Sequence, residues 1–272
     1  MKPFLKWAGN KYRIISKILE LIPPGSRLIE PFAGSAAVFL NTDYEKNLIN
    51  DLNSDLINLY STLKNYGPAF VSECKPLFTS EANSADVYYR LRDEFNSIHN
   101  ARRKAVLFLY LNRHGYNGLC RYNNEGGFNV PFGRYKKPYF PESEMMMFYH
   151  KSQSAEFVSD DFETVMRQAQ PGDVIYCDPP YVPLSHTAKF TNYSAGGFGA
   201  MEQLRLAKVA QELSLTGIPV LISNHFNAFT RGAYAAAEIT AFDVQRFISC
   251  DSANRNKATE LLALFRSTPV CP

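Results

Sequence analysis

The sequence predicts an α/β protein in which helices cover a mainly parallel β-sheet. Short apolar runs of strand length alternate along the chain with stretches of helical periodicity. Several of these runs end in small, acidic or proline residues, as strands do where they enter a loop. The chain has 272 residues and 46% hydrophobic content, enough to bury a sizeable core in one large domain or two smaller ones.

The first predicted unit is a strand, a turn, a helix and a second strand. Residues 27–31, RLIEP, form a short apolar run, and residues 32–35, FAGS, follow as a turn of small residues. AAVFLNT at 36–42 starts a helix, and NLIND at 47–51 is a second strand that ends in Asp51. This order is typical of a parallel α/β sheet.

The second half of the chain continues the alternation. Three apolar runs predict buried strands, a longer periodic stretch predicts a helix, and two C-terminal runs predict a hairpin-like pair of strands. In chain order these segments are AEFVS at 155–159, DVIYC at 173–177, the helix MEQLRLAKVAQELS at 201–214, IPVLIS at 218–223, ITAFDVQRFIS at 239–249 and TELLALF at 259–265.

Residues 55–145 interrupt the alternation and are predicted to form an insertion between the second and third strands. They are helical and basic at first, and then rich in Gly, Asn, Tyr and Pro. Between residues 90 and 140 the chain has ten lysines and arginines against three acids, although its net charge is only +3. The segment is either a solvated helix face or, because aromatic residues lie among the basic ones, a surface for a polyanion.

Other features exclude several classes of protein. No apolar run approaches the roughly eighteen residues of a transmembrane helix, and the N-terminus lacks the apolar core of a signal peptide. The five cysteines form no CxxC pair, so neither a disulfide framework nor a zinc or other metal site is expected. We therefore expect a cytoplasmic protein without a membrane partner.

Three features follow the carboxyl ends of predicted strands, where open α/β sheets bind ligands. They are the turn at 32–35, Asp51, and the sequence DPPY at 178–181. Small residues let the backbone approach a ligand closely, and a carboxylate can accept hydrogen bonds from both hydroxyls of a ribose. This pair of features would equally fit a dinucleotide or an ordinary turn, although the residues after Gly34 do not form GxGxxG.

The DPPY sequence favours one chemistry. The amino group of a nucleobase is a poor nucleophile because its lone pair is delocalised into the ring, so methyl transfer to it needs fixed hydrogen-bond acceptors. The Asp178 carboxylate and the Pro179 carbonyl are two such acceptors, and the proline rings stiffen the backbone that presents them. Tyr181 offers a flat face for stacking on a flipped-out base. Any one of these residues alone would be typical of a turn at a strand end.

From end to end the chain resembles the DNA adenine methylase (Dam) family of adenine-N6 methyltransferases. The order of the matching segments is also that of the family, with cofactor motifs first, then a recognition insert and then DPPY. The segments are FLKWAGNKY at 4–12, EPFAGSAAVF at 30–39, NDLNSDL at 50–56, FLYLNRHGYNGLCRYN at 108–123, FNVPFGRYKKPYFP at 128–141, CDPPYVPLS at 177–185 and LISNH at 221–225.

The resemblance implies a Rossmann-like, S-adenosylmethionine-dependent methyltransferase sheet with an inserted, mostly helical plus hairpin target recognition domain. The implied boundaries are 1–55 for the cofactor-binding half of the catalytic domain, 56–144 for the DNA-binding insert and 145–272 for the DPPY half. The implied reaction transfers a methyl group to N6 of adenine, in GATC, by base flipping and direct attack. The expected partner is double-stranded DNA, bound by a monomer at the nucleoid.

The resemblance also assigns cofactor and catalytic residues. The lysine would pair with the carboxylate of the methionine moiety, the aspartate after the second strand would bind the ribose, and the aspartate of DPPY would face both cofactor and adenine. The cofactor residues are Trp7, Lys11, Phe32, Gly34, Asp51 and Asp178, and the catalytic residues are Asp178, Pro179, Pro180 and Tyr181.

Further positions match residues of the family that contact DNA. Lys6 and Arg121 match positions that read guanines, and Leu119 is placed to touch a thymine methyl group. Tyr116 and Asn117 lie on the loop that enters the duplex where the adenine leaves it. The remaining positions are Pro131 in the base-reading hairpin and, as phosphate contacts, Arg92, Arg134 and Lys136.

Two residues depart from the family pattern. Asn10 and Ala36 stand where the family usually has glycine. Each adds atoms near the expected cofactor, so we expect an effect on cofactor affinity more than on the reaction.

Other functions remain open at the level of the sequence. The same scaffold can methylate cytosine N4 or an RNA adenine, although the insert argues against both. A sequence-specific DNA-binding relic of a methylase, with weak or no turnover, is the principal alternative. A dinucleotide-dependent oxidoreductase is disfavoured by the missing GxGxxG and by DPPY.

Overall fold

The computed structural model describes residues 1–181, 198–244 and 258–267 and confirms the predicted mixed α/β fold. Within these described residues, seven strands form one sheet in the order β3-β2-β1-β4-β5-β7-β6. The strands are β1 Arg27–Glu30, β2 Lys46–Asn50, β3 Ala155–Val158, β4 Asp173–Cys177, β5 Val220–His225, β6 Glu238–Val244 and β7 Ala258–Phe265. The helices are α1 Ile15–Leu21, α2 Ala37–Asn41, α3 Ser54–Cys74, α4 Ala85–Ser97, α5 Ala101–His114, α6 Glu142–Ser152, α7 Phe162–Met166, α8 Ala200–Leu215 and α9 Ala228–Ala233, with 3-10 turns at Lys11–Ile14, Lys75–Leu77 and Tyr116–Gly118.

The strand pairing follows the sequence pattern. β1 pairs parallel with β4, β4 with β5, and β2 with β3. All five residues of β4 are buried, as expected for a central strand covered on both faces. The predicted C-terminal pair is confirmed as the antiparallel strands β6 and β7, and β7 also pairs antiparallel with β5. The last part of the predicted strand 239–249, after Val244, lies outside the described residues.

The chain divides into two compact units. The first comprises Met1–Ile15, Ala33–Asp43 and Asn47–Asp160, and the second comprises Ser16–Phe32, Tyr44–Lys46 and Asp161–Pro272. Each unit is therefore assembled from separate stretches of sequence.

The first unit has a helical core. Helix α3, which is kinked at Gly67, packs against α5 and α6, and α4 packs against α5. A cluster of aromatic rings fills the interior, in which Phe148 contacts Phe4, Phe39 and Tyr60. After α5 the chain is irregular up to α6, with isolated antiparallel bridges at Gly115–Phe132 and Tyr122–Phe128. The 56–144 segment thus contains helices followed by a hairpin-like loop, and its status as a separate recognition domain stays a prediction.

The second unit is built on the strands around β4. Arg27 at the start of β1 forms an ion pair with Asp173 at the start of β4, so the two strands are aligned by charge as well as by backbone bonds. The Phe32 ring stacks on Phe162 and meets Phe198 edge to face. Within the described residues, no helix is both long and apolar enough to cross a membrane.

The turn before α2 contains a strained residue. Ala36 caps this helix in the left-handed conformation, with φ 56° and ψ 36°, and its side chain is fully buried. An L-residue in this region is less stable than glycine by about 1–2 kcal/mol. The resemblance described above singled out Ala36 as standing where glycine is usual, and the backbone gives the physical reason, because this position favours glycine.

We expect Ala36→Gly to stabilise the protein by about 0.5–1 kcal/mol, since relief of backbone strain exceeds the entropy that glycine adds to the unfolded chain. Urea unfolding of the variant and of wild type measures the difference. The control is Ala37→Gly at the first position of α2, where glycine lacks this advantage and should destabilise. If both variants lose stability equally, the left-handed conformation of Ala36 is not a source of strain.

Candidate active site and DNA-binding surface

The turn between β1 and α2 is held from both sides of Gly34. The Gly34 N–H donates to Asp51 Oδ2 at 2.9 Å, and the Gly34 carbonyl accepts from the Tyr60 hydroxyl at 2.5 Å. A Cβ on Gly34 would lie 2.8 Å from Nε1 of Trp7, so only glycine lets the indole pack against this backbone. The predicted residues Trp7, Gly34 and Asp51 therefore do lie together.

Asp51 has a structural role that the sequence did not reveal. Its Oδ1 accepts from the Asn53 N–H at 2.9 Å while Oδ2 accepts from Gly34, so one carboxylate joins the end of β2 to the turn after β1. Burial raises the pKa of Asp51, and the two backbone N–H groups oppose that shift. Each carboxylate oxygen has two acceptor sites, so these bonds leave capacity for ribose hydroxyls.

Lys11 and Asn10 lie in the N-terminal segment of the same unit. Lys11 is buried, and its Nζ donates to the Gly9 carbonyl at 2.8 Å. The Asn10 side chain accepts from the Tyr12 N–H at 2.9 Å and caps the short helix that follows. The φ of Asn10 is −49°, so this position does not require the glycine that the family usually has.

The DPPY residues follow β4 in the second unit. Asp178 is half-buried, and its Oδ1 accepts from the Ser223 hydroxyl at 3.0 Å. Ser223 in turn accepts from the buried Tyr176 hydroxyl at 3.0 Å. Pro179 is buried whereas Pro180 is exposed. The carboxylate is thus held by a neighbouring strand, because Ser223 belongs to β5.

Two further residues contact DPPY and were not identified from the sequence. The His225 ring lies against the Tyr181 ring, with centroids 3.9 Å apart. Gln203 of α8 donates from Nε2 to the Pro180 carbonyl at 2.9 Å. Ser223 and His225 belong to the LISNH segment that carried the resemblance, so a sequence signal for them existed, although it did not indicate these contacts.

Lys6 of the first unit lies beside Arg113 and Tyr135. Its Nζ donates to the Arg113 carbonyl at 3.2 Å and lies 3.6 Å from the centre of the Tyr135 ring. Asn112 fixes the Lys6 backbone by bonds to both its N–H and its carbonyl. Burial, and secondarily the charge of Arg113, lowers the pKa of Lys6 to about 8. Lys6 is therefore a cation whose charge is easily lost when the pH rises.

Arg121 is exposed on the hairpin-like loop and is positioned by Asn129. Its Nε donates to Asn129 Oδ1 at 2.7 Å and its Nη2 to the Asn129 carbonyl at 3.0 Å, while the Asn129 N–H donates to the Arg121 carbonyl. A guanidinium has five N–H donors, so two of them orient the group and others remain for a ligand. Asn129 was not identified from the sequence.

The first arm of the same loop carries exposed and conformationally unusual residues near the Gly115–Phe132 bridge. Tyr116 is 51% exposed, and Asn117 adopts the left-handed conformation with φ 53°. The Tyr116 N–H donates to the Pro131 carbonyl at 2.8 Å, which ties the first arm to the second arm of the loop. Leu119 is half-exposed on the same arm.

The residues predicted to contact phosphate differ in their surroundings. Arg134 and Lys136 are exposed, and Arg134 has a positive φ of 53°. Arg92 is half-buried, where its Nη1 donates to the Val130 carbonyl at 3.4 Å and its guanidinium lies over the Tyr89 ring. Arg92 therefore also supports the loop backbone.

Comparisons with known proteins identify the family of the chain. The family model described as D12 class N6 adenine-specific DNA methyltransferase matches residues 7–248. The chain is 51% identical to a DNA adenine methylase of Serratia marcescens, covering 97% of this chain and 98% of the relative. It is 49% identical to a DNA adenine methylase of Escherichia coli K12, covering 100% and 98%. An rRNA methyltransferase of Streptomyces viridochromogenes gives a TM-score of 0.39 at 7% identity, covering 96% and 88%. By its sequence match over nearly the whole chain, the protein belongs to the D12 class of N6 adenine-specific DNA methyltransferases.

Proposed function

We propose that the protein transfers a methyl group from S-adenosylmethionine to N6 of adenine in GATC sites of double-stranded DNA. The observation that carries the proposal is the DPPY segment at the end of β4, whose carboxylate is held by Ser223. The proposal includes a monomer that acts at the nucleoid in the cytoplasm, and residues 56–144 as its target recognition domain.

The chemistry follows from acceptors that are fixed before the substrate arrives. The target adenine leaves the duplex, and its amino group donates to the Asp178 carboxylate and the Pro179 carbonyl. These bonds direct the nitrogen lone pair out of the ring plane, and preorganised acceptors stabilise the positive charge that develops on the nitrogen. Tyr181 stacks on the flipped base. The methylated nitrogen is acidic and loses its proton without a strong general base.

S-adenosylmethionine would supply an electrophilic methyl group on a sulfonium. The residues proposed to bind it are Trp7, Lys11, Phe32, Gly34, Asp51 and Asp178. Three features of these residues support the proposal. Gly34 gives a backbone without a side chain beside Trp7, Asp51 retains acceptor capacity for ribose hydroxyls, and Lys11 offers a cation for a carboxylate.

DNA recognition would combine residues that read bases with residues that hold phosphates. Lys6 and Arg121 present donors suited to guanine O6 and N7. The exposed Tyr116 with Asn117 would enter the space left by the flipped adenine, as apolar and aromatic wedges do. The other proposed contacts are Leu119 and Pro131 near the bases, and Arg92, Arg134 and Lys136 on phosphates.

The test is methylation of a plasmid that lacks adenine methylation. The purified protein is incubated with plasmid and S-adenosylmethionine, and the product is digested with a restriction enzyme that methylated GATC blocks. Protection that requires the cofactor supports the proposal. Methylation at other sequences would contradict the GATC assignment, and cofactor-independent binding without methylation would identify the DNA-binding relic.

Arg121→Ala and Arg134→Ala separate base reading from phosphate binding. We expect Arg121→Ala to weaken activity on GATC by about 1–3 kcal/mol and to relax discrimination at one guanine, because a bidentate base contact is lost. Arg134→Ala should weaken GATC and near-GATC sites equally and flatten the slope of log affinity against log salt concentration by about one unit. The measurements are kcat/KM and binding on GATC and single-substitution sites at several salt concentrations. The reverse pattern would show that the two arginines are assigned the wrong way round.

A further inference from the structure

A buried polar network contacts the second proline of DPPY. Its members are Gln203 of α8, Asn224 of β5 and Tyr234 after α9, all with side chains almost fully buried. Gln203 donates from Nε2 to the Pro180 carbonyl at 2.9 Å. We propose that Gln203 is a positioning residue for methyl transfer, because it fixes the backbone that presents the Pro179 carbonyl to the target amino group. This inference rests on the proposed role of that carbonyl.

The direction of each hydrogen bond in the network is determined. The backbone N–H of His225 can only donate, and it donates to Asn224 Oδ1 at 2.8 Å, which sets the orientation of the Asn224 amide. Asn224 Nδ2 then donates to Gln203 Oε1 at 3.1 Å and to the Tyr234 hydroxyl at 3.0 Å. The Tyr234 hydroxyl donates to the same Gln203 oxygen at 2.6 Å.

Gln203 therefore has only one available orientation. Its Oε1 already accepts two hydrogen bonds, so its Nε2 points to the Pro180 carbonyl. Burial raises the pKa of the Tyr234 phenol, which keeps this hydroxyl protonated and able to donate. The network thus transmits the fixed orientation of the β5 backbone to the carbonyl of Pro180.

The DPPY segment is then held on both sides of Pro179. On one side the Ser223 hydroxyl contacts the Cys177 carbonyl and Asp178 Oδ1, and on the other Gln203 donates to the Pro180 carbonyl. The rings of the two prolines restrict φ, so the remaining freedom of the segment is mainly in ψ. Restraint at both ends limits this rotation, and the Pro179 carbonyl keeps one direction. Accurate placement of a reacting group can raise the reaction rate by a large factor.

The position of Gln203 on its helix also indicates that its hydrogen bonds matter. It belongs to the buried face of α8 together with Leu206, Ala207, Ala210 and Leu213. A polar side chain in such a stripe is unfavourable unless its groups are hydrogen-bonded, and an apolar residue would pack there more simply. Both the oxygen and the nitrogen of Gln203 are used, and the nitrogen is used on DPPY.

The test compares Gln203→Met, Gln203→Glu and the control Gln211→Glu, which places the same charge on the exposed face of α8. The full-length enzyme is assayed on GATC plasmid across pH, with kcat and both KM values determined and folding checked by circular dichroism. We expect Gln203→Met to lower kcat by about tenfold to a hundredfold at every pH, with KM changed less than about twofold, because positioning is lost rather than binding.

The pH dependence of kcat for Gln203→Glu distinguishes positioning from a purely structural role, which would not produce it. A protonated glutamate can donate to the Pro180 carbonyl, whereas an ionised one repels it. Its kcat should therefore exceed that of Gln203→Met at the lowest pH and fall as the pH rises, while Gln211→Glu follows wild type.

The inference is overturned if Gln203→Met has the kcat of wild type, or if Gln203→Glu is no better than Gln203→Met at low pH. An inactive wild-type enzyme would overturn the proposed function together with this inference. An active wild-type enzyme with unaffected Gln203 variants would overturn the inference alone.

Discussion

Asp178→Ala should lower turnover by at least about a hundredfold, the scale of deleting one preorganised electrostatic partner. The substitution removes one of the two proposed acceptors for the adenine amino group and leaves the Ser223 hydroxyl without its carboxylate partner. Asp178 is half-buried at the end of β4, so the loss of its side chain should not disrupt the core. Single-turnover methylation of GATC duplexes measures the chemical step directly.

The control for Asp178→Ala is Asp243→Ala, the same change on an exposed position of β6 in the same unit. We expect this control to methylate at the wild-type rate and both variants to unfold cooperatively. If folded Asp178→Ala methylates at the rate of the control, the carboxylate of DPPY is not an acceptor in the reaction.

Asp51→Ala should weaken both the fold and cofactor binding. Two part-buried backbone N–H groups, those of Gly34 and Asn53, would lose their acceptor, and a typical net hydrogen bond contributes about 0.5–1.5 kcal/mol. We therefore expect the free energy of unfolding to fall by about 1–3 kcal/mol. Loss of the proposed charged acceptor for the ribose should weaken S-adenosylmethionine binding by about 1–3 kcal/mol. Urea unfolding and calorimetric titration measure the two effects.

The pH dependence of wild type gives an independent check on Asp51. Its pKa is raised in the folded protein, so cofactor affinity should begin to fall at a higher pH than for an ordinary aspartate as the solution is acidified. Because folding raises the pKa of Asp51, ionisation of this carboxyl destabilises the folded protein. Its contribution to stability is fully present below the unfolded pKa and is lost as the pH rises through the folded pKa.

The control for Asp51→Ala is Asp93→Ala, on the exposed side of α4. Unchanged unfolding and unchanged cofactor affinity in Asp51→Ala would show that this carboxylate supports neither the turn nor the ribose.

Much of the fold and part of the site were predictable because their signals are local. Apolar runs of strand length located the strands that form the parallel pairs β1–β4, β4–β5 and β2–β3, and their order along the chain indicated an α/β sheet. Asp51 and Asp178 were predicted as candidate site residues because acids that follow buried strands lie where α/β proteins bind ligands, and the structure places them after β2 and β4. Ala36 was found as a departure from a family glycine, and its left-handed backbone shows why glycine is favoured there.

The residues that hold the site were not predictable in the same way. The contact between Asn129 and Arg121 depends on how a loop folds back on itself, and no local pattern encodes it. Ser223 reaches Asp178 from a neighbouring strand, so its role depends on strand register. Gln203 could have been noticed in the sequence, because it is a polar residue among the apolar residues of one helix face. That pattern does not indicate which carbonyl its side chain will bond to.

The packing of Trp7 on Gly34 has a practical consequence. Trp7 is the only tryptophan in the chain, and its indole lies within van der Waals distance of the turn that follows β1. Emission from this one fluorophore therefore originates at the Gly34 turn, without background from any other indole. Changes in its intensity or wavelength give an unlabelled, residue-specific optical signal, with which rapid-mixing experiments can follow events at the turn in real time and separate them from events at DPPY.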